Sequence, residues 1–507
     1  MPELSPDEMP PPADEAALPP DEVLIAGRWS TGSGRVSDVI DPATGRTLMK
    51  LHTASAADVH EAAGRAARAA ADPAWRDLAP HLRARHLHRI AELIDRGAGL
   101  LAAVQTADTG KSRTETRALV ASAAGTFRYA AALLETGEDA LTPARGSYLT
   151  VSTHEPIGVV GAIAPWNSPV ASDAQKIAPA LAAGNAVLLK PADWTPLTSL
   201  VLGRIITESG LPEGLLSVLP GPGAVTGDAI VRHPAVGKVS FTGGTATGRR
   251  IAQAAAEKLM PVSLELGGKS PTVVFSDADA EQALAGVMFG VFSSSGQSCI
   301  AGSRLFVARE IYEEFLGELV ERTRALRIGP GTDPRTQVAP LVHPRHRDAV
   351  AAHVDLAREE GARVRCGGAA PEGEAYAHGA YYRPTILDGL PNSARVCQEE
   401  IFGPVLIALP FDDEDDLVAQ ANDSVYGLAC GIWTRDLAKA WRVARRIEAG
   451  TVWVNTYKQF SSSTPFTGWK HSGLGSEKGS GWLRGYQRQK SLYFGTDPAP
   501  LPWAAAR

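Results

Sequence analysis

Alanine-rich stretches with apolar positions at helical spacing occupy residues 55–75, 82–107 and 113–136, and each predicts an amphipathic helix. The period then changes. Residues 148–154 alternate and are rich in β-branched types, which predicts a strand. Beyond them, short apolar runs at 158–164, 186–190, 216–219 and 236–241 are separated by helical stretches at 173–183, 197–209 and 247–258. Apolar strands alternating with helices predict a parallel, doubly wound α/β sheet. A second alternating region runs from about 271 to 455, and a β-like stretch at 490–494 closes the fold. Proline and acidic residues dominate 1–20, which predicts a disordered tail.

A chain of 507 residues is too long for one ordinary core, so two or more domains are expected. The 44% hydrophobic and 21% charged content is that of a soluble globular protein. A net charge of -6 gives no electrostatic reason to expect nucleic acid or an anionic membrane as partner. No apolar run reaches the roughly 18 residues of a membrane span. The acidic N-terminal stretch lacks the basic and apolar regions of a secretory signal. Four cysteines do not make a disulfide framework, and a cytoplasmic, reduced protein is the expectation. Without a CxxC pair or an HExxH helix, no metal site is expected; His81, His86 and His88, set among arginines, read as a solvated or partner-facing helical face.

Chemistry concentrates at two places. Cys299 sits among Gly296, Gln297, Ser298 and Gly302. A free cysteine is more often a small buried hydrophobe, as Cys366, Cys397 and Cys430 read here. Small neighbours around Cys299 instead leave room for a substrate and for backbone N–H groups aimed at a developing charge. Glu265 reads as a surface carboxylate or, at a strand end before Gly267 and Gly268, as a base pointing into a cleft. Glycine-rich turns at 221–227, with Gly223, and at 243–248, with Gly243, Gly244 and Gly248, both follow strands; neither fits the GxGxxG fingerprint. The second opens a helix whose N-terminus can hold a phosphate. Lys190 ends a strand just before Asp193, a pair able to bind ribose hydroxyls.

Taken together, these segments resemble the aldehyde dehydrogenase superfamily over residues 22–496. The resemblance rests on Pro165-Trp166-Asn167, Lys190-Pro191-Ala192-Asp193, Phe241-Thr242-Gly243, Leu264-Glu265-Leu266-Gly267-Gly268-Lys269 and Gly296-Gln297-Ser298-Cys299, in that order. Glu399-Glu400-Ile401-Phe402-Gly403-Pro404 and Pro465-Phe466-Thr467-Gly468 complete it. It implies a Rossmann-like NAD-binding domain (21–140 and 158–267), an α/β catalytic domain (268–471) and a small β oligomerisation domain (141–157 and 484–500) of a homodimer or homotetramer.

The resemblance also implies roles. Cys299 attacks an aldehyde, the Asn167 amide and the Cys299 N–H hold the oxyanion, hydride passes to NAD, and Glu265 activates the water that hydrolyses the thioester. Lys176 stabilises charge or relays protons. Ile163, Pro165, Trp166, Lys190, Asp193, Gly223, Phe241, Gly243, Gly244, Gly248, Leu266, Glu400 and Phe402 match cofactor-contacting positions. Asp193 stands where Glu is usual, and Gly244 where a serine is usual. A carboxylate at 193 repels a 2′-phosphate, so NAD is expected over NADP, with NADP possible. Ser168, Ala171, Gln175, Ser293, Ser298, Ile300, Lys458 and Phe466 match substrate positions. Small or polar residues at several of these imply a roomy, polar pocket for a functionalised, ring-derived or semialdehyde substrate. Lys458 reads as a solvated charge or as a site for an anionic aldehyde. The alternatives are a CoA-acylating aldehyde dehydrogenase, against which Glu265 argues, and a non-catalytic structural or binding member of the same fold.

Overall fold

The computed structural model describes residues 18–498 and Trp503. The expected tail at 1–20 therefore lies almost wholly outside the described residues, as do positions 499 and 500 of the closing segment.

Strands Val159–Ile163 and Ala186–Lys190 are buried along their whole length, which is why they read as unbroken apolar runs. They form the centre of an eight-stranded sheet ordered Arg28–Ser30, Val23–Ile25, Leu216–Val218, Ala186–Lys190, Val159–Ile163, Val236–Thr242, Val262–Glu265 and Gly473–Leu474. The five from Leu216–Val218 to Val262–Glu265 run parallel; the outer ones are antiparallel. The chain lays down Val159–Ile163, steps outward twice on one side, then returns to add Val236–Thr242 on the other. This reversal opens a crevice above the C-terminal strand ends, where α/β sheets bind ligands. Register aligns Ile163 with Lys190 and Phe241, and Thr242 with Glu265, so four functional strand ends share one edge.

Helices Ala56–Ala71, Pro80–Arg96, Arg113–Glu135, Pro169–Ala182 and Leu197–Glu208 bury their apolar faces in one core with this sheet. Ser55 and Ser112 start the first and third with capping boxes. The single helix expected at 82–107 is two, Pro80–Arg96 and Ala98–Thr109, parted at Gly97. A Cβ at Gly97 would stand 3.0 Å from Ile205, so the close approach of helix Leu197–Glu208 accounts for the glycine. Among the described residues no helix is long and apolar enough to cross a membrane.

From Pro271 the chain builds a seven-stranded sheet ordered Arg363–Cys366, Thr385–Asp388, Val405–Phe411, Arg304–Ala308, Pro271–Val274, Ala429–Trp433 and Thr451–Val454, parallel except at its first pair. Separate apolar clusters cover its two faces. A three-stranded antiparallel sheet stands apart, with Tyr148–Pro156 between Gln487–Gly495 and Ala140–Thr142. The strands expected near 148–154 and 490–494 are thus partners, paired from Gln487↔Pro156 to Gly495↔Tyr148.

Candidate active site

The link between the two large sheets is five residues long, from Glu265 to Pro271. It passes so close to the Cys299 loop that a Cβ on Gly268 would lie 2.4 Å from the Cys299 carbonyl oxygen. One strand end and one loop are thereby brought to the same spot.

Cys299 is half-buried, whereas Cys366, Cys397 and Cys430 are buried. A tight turn, Ser293–Gly296, precedes it, with Ser294 (φ 57°), Ser295 (φ 54°) and Gly296 (φ 72°) all left-handed. Such backbone costs about 1–3 kcal/mol at each non-glycine residue and persists only where surroundings hold it. They do. Glu115 accepts from Ser294 N at 2.6 Å, Ser295 Oγ donates to Ala339 O at 2.6 Å, and Gln297 Oε1 accepts from Val342 N at 2.8 Å. Only glycine fits at 296, since a Cβ would come 2.0 Å from Gly403 O. The Cys299 N–H donates to no backbone carbonyl among the described residues. Burial pushes the thiol up to about 12, with Glu400 and Glu265 adding to the rise; Lys458 and the residue's own N–H oppose it.

Asn167 lies on the loop between Val159–Ile163 and Pro169–Ala182. Its Nδ2 donates to Gln297 O at 3.0 Å, which fixes the amide and leaves its second hydrogen for another acceptor. Glu265 is 5% exposed, and its Oε2 is buried without a hydrogen-bond partner. A buried carboxylate oxygen without a hydrogen-bond partner is costly. Burial raises its pKa well above the ordinary carboxylate range; Glu477 adds to this, and Lys176 and Lys478 oppose it. Lys176 Nζ donates to Glu477 Oε1 at 2.9 Å, Thr242 Oγ1 at 2.8 Å and Ser240 Oγ at 3.2 Å. Lys176 therefore sits on a buried carboxylate, Glu477, that sequence reading missed. The two are 301 residues apart, and no local pattern announces the pair.

Cys299 also borders a cavity of about 1070 Å³ over the strand ends. Ile163, Pro165, Trp166, Asn167, Lys190, Asp193, Gly223, Phe241, Gly243, Gly244, Leu266, Glu400 and Phe402 all line it. Gly248 does not: it packs against Leu266, and a Cβ there would lie 2.4 Å from Leu266 Cδ2. Lys190 Nζ donates to Asp193 Oδ1 at 2.6 Å. Gly244 is the N-cap of helix Thr245–Ala256 without any side-chain cap, and a Cβ on it would meet open space. Uncapped N–H groups facing an open groove suit a pyrophosphate. Glu400 Oε1 accepts from Gly268 N at 3.0 Å, and burial pushes its carboxyl up to about 7. The donor set fits a dinucleotide: a Lys–carboxylate pair for one ribose, a helix start for phosphates and a buried carboxylate for the second ribose.

Two histidines went unread in the sequence, His346 in this wall and His343 against the wall residue Trp194. His346 Nε2 donates to Phe402 O at 2.8 Å, while its ring meets Trp166 edge-on with centroids 5.0 Å apart. His343 stacks on Trp194 at 5.0 Å. Residue 402 itself is left-handed (φ 57°), so His346 braces the strained carbonyl beside the groove.

The expected substrate positions divide. Ser168, Gln175, Ser293, Ser298, Lys458 and Phe466 are half-buried, and Ala171 is buried on the helix carrying Lys176. Ser168 and Ser172 share a hydrogen bond of 2.9 Å. Ile300 departs from expectation: it is 3% exposed and packed in the core of the second sheet, because an apolar side chain following Cys299 is drawn inward. Its carbonyl accepts from Tyr457 Oη at 3.0 Å.

The aldehyde dehydrogenase family model matches residues 29–492. The protein DhaS of Bacillus subtilis (strain 168) is 39% identical over 474 residues, which is 93% of this chain and 95% of DhaS. The crystal structure of HpcC from Thermus thermophilus aligns with TM-score 0.93 at 40% identity, covering 97% of this chain and 96% of HpcC. Betaine aldehyde dehydrogenase (betB) from Staphylococcus aureus, solved in complex with NAD+, aligns with TM-score 0.94 at 33% identity, covering 96% of this chain and 97% of betB.

Proposed function

This chain belongs to the aldehyde dehydrogenase family, and on that premise we propose that it oxidises an aldehyde to a carboxylic acid through a thioester on Cys299, with NAD as the hydride acceptor. What supports this reading is that Asn167 is bonded to the Cys299 loop at Gln297 O and Glu265 acts electrostatically on Cys299, which draws three groups together. They are a half-buried thiol with a free N–H, a fixed amide with a spare hydrogen, and a buried carboxylate with an orphaned oxygen.

Each group acts at its own step. The Cys299 sulfur, its thiolate favoured by its own N–H and by Lys458, bonds to the carbonyl carbon. The Asn167 amide and the Cys299 N–H hold the oxyanion; one such donor is typically worth about 3–4 kcal/mol of barrier. Collapse of the oxyanion expels hydride and leaves the thioester. Glu265 takes a proton from water, the hydroxide attacks the thioester carbon, and the acid leaves as the sulfur is released. Its raised pKa lets Glu265 hold that proton afterwards. Lys176, bonded to Glu477, carries the compensating charge behind it.

Lys190 and Asp193 suit the adenosine ribose, the start of helix Thr245–Ala256 the pyrophosphate, and Glu400 the nicotinamide ribose. When bound, the nicotinamide supplies the hydride acceptor. The Asp193 carboxylate opposes a 2′-phosphate, so initial rates with NAD exceed those with NADP; a clear NADP preference contradicts this. Small or polar side chains at Ser168, Ala171, Ser172, Gln175 and Ser293 favour a functionalised, ring-derived or semialdehyde substrate. NADH formation across an aldehyde panel, abolished by Cys299→Ala, tests the assignment. Best turnover on long unbranched alkanals would overturn the substrate class, and turnover by the alanine variant would overturn the nucleophile. Added coenzyme A yields no acyl-CoA on this reading.

The three-stranded sheet is proposed as the oligomerisation element of a homodimer or homotetramer. It leaves Leu141 70%, Tyr493 68% and Phe494 52% exposed on a single chain. Four unpaired cysteines favour a reducing, cytoplasmic setting.

A further inference from the structure

Lysines outside any ion pair lie near Cys299, with Glu115 beside Lys111 and Lys458, and with Glu477 and Glu265 beside Lys478. Lys111 is 3% exposed and the other two are half-buried. Lys458 and Lys478 both act electrostatically on Cys299, and Lys111 acts on Lys458. Five lysines among the described residues form ion pairs, namely Lys176, Lys190, Lys439, Lys470 and Lys490; these three are not among them. The carboxylate shared by Lys111 and Lys458 is that of Glu115, and its oxygens are already engaged. Oε1 accepts from Ser294 N and Oγ, and Oε2 from Ser112 N and Oγ. Charges withdrawn from water are normally paired, and unpaired ones cluster at functional sites.

Lys458 is also positioned. Its backbone is left-handed (φ 53°). Its Nζ donates to Ser293 Oγ at 2.7 Å, and Ser293 Oγ donates onward to Phe289 O at 2.5 Å. The ammonium lies 5.8 Å from the centre of the Phe289 ring. Lys478 stands over Phe460 at 4.2 Å and Phe466 at 5.7 Å. Two ammonium groups are thus held against aromatic faces around the nucleophile, each with donor capacity to spare.

Resting on the aldehyde-oxidising reading of Cys299, we propose that Lys458, anchored on Ser293 and flanked by Lys111 and Lys478, is a subsite for a carboxylate at the far end of the substrate. The preferred substrates are then semialdehydes of dicarboxylic acids. Burial, followed by Lys111, pushes the Lys458 ammonium down to about 7, and a bound carboxylate relieves both effects.

The test compares succinic, glutaric and adipic semialdehydes with butanal, pentanal and hexanal. At one chain length or more, kcat/KM for the semialdehyde exceeds that for the matched alkanal by about tenfold or more. Lys458→Met lowers this ratio by about tenfold, chiefly through KM, and Lys458→Arg recovers much of it. A ratio near one at every length, or a ratio unchanged in Lys458→Met, overturns the subsite. A readout without turnover separates the two readings. Glutarate or adipate slows alkylation of Cys299 by iodoacetamide in the unaltered protein and not in Lys458→Met. Protection without oxidation of any aldehyde strikes the oxidation reading alone, whereas oxidation of alkanals without protection strikes the subsite alone.

Discussion

A thiol raised to about 12 is a poor nucleophile at neutral pH, and this is the resting state of Cys299. Desolvation is the main cause. The sign of the pH dependence follows. The thiolate fraction of the free protein grows as pH rises toward that value, so alkylation of Cys299 by iodoacetamide accelerates about tenfold per pH unit between roughly pH 7 and 10. A plateau reached near pH 8 contradicts the raised pKa. Cys299 itself was legible as a candidate because its small, polar neighbours set it apart from the other three cysteines. Glu477 and His346 were not, since the first acts on a lysine 301 residues away and the second on a carbonyl 56 residues away. Their chemistry exists only once the chain has folded.

Strand ends are what align the remaining groups. Lys190 and Glu265 close buried strands whose apolar runs are evident in the sequence, so both positions could be read as facing a crevice. The short edge strands Val23–Ile25, Arg28–Ser30 and Gly473–Leu474 gave no such signal; three or fewer residues cannot display a period. The loop at 221–227 was read as a tight turn, and most of it, Gly223–Gly227, is a single π-helical turn. The link 266–270 offers a direct test at this scale. A Cβ on Gly267 would lie 2.4 Å from Glu400 Oε2. Gly267→Ala therefore displaces that carboxylate and breaks its bond to Gly268 N. KM for NAD rises about tenfold, equivalent to roughly 1.5 kcal/mol for one charged hydrogen bond, while thermal unfolding moves little. An unchanged KM would remove Glu400 from the cofactor's contacts.

At the scale of the whole molecule, two parallel sheets with separate cores face each other across the groove, joined by the short link that carries Glu265 toward Cys299. The alternation of strands and helices foretold both sheets, whereas the pairing of Tyr148–Pro156 with Gln487–Gly495 joins segments some 330 residues apart that no local pattern connects. If that outlying sheet mediates association, light scattering reports a multiple of the single-chain mass, and Leu141→Asp combined with Phe494→Asp shifts the protein toward monomer. A monomeric unaltered protein contradicts the assignment. The arrangement of thiol, amide and carboxyl around one aldehyde carbon is tested most directly by Glu265→Gln mixed rapidly with an aldehyde and NAD. The account predicts a burst of about one NADH per subunit, then arrest, with the intact mass raised by that of the aldehyde less two hydrogens and the added group on Cys299. Steady turnover at the rate of the unaltered enzyme, or an added group on any other residue, would contradict it.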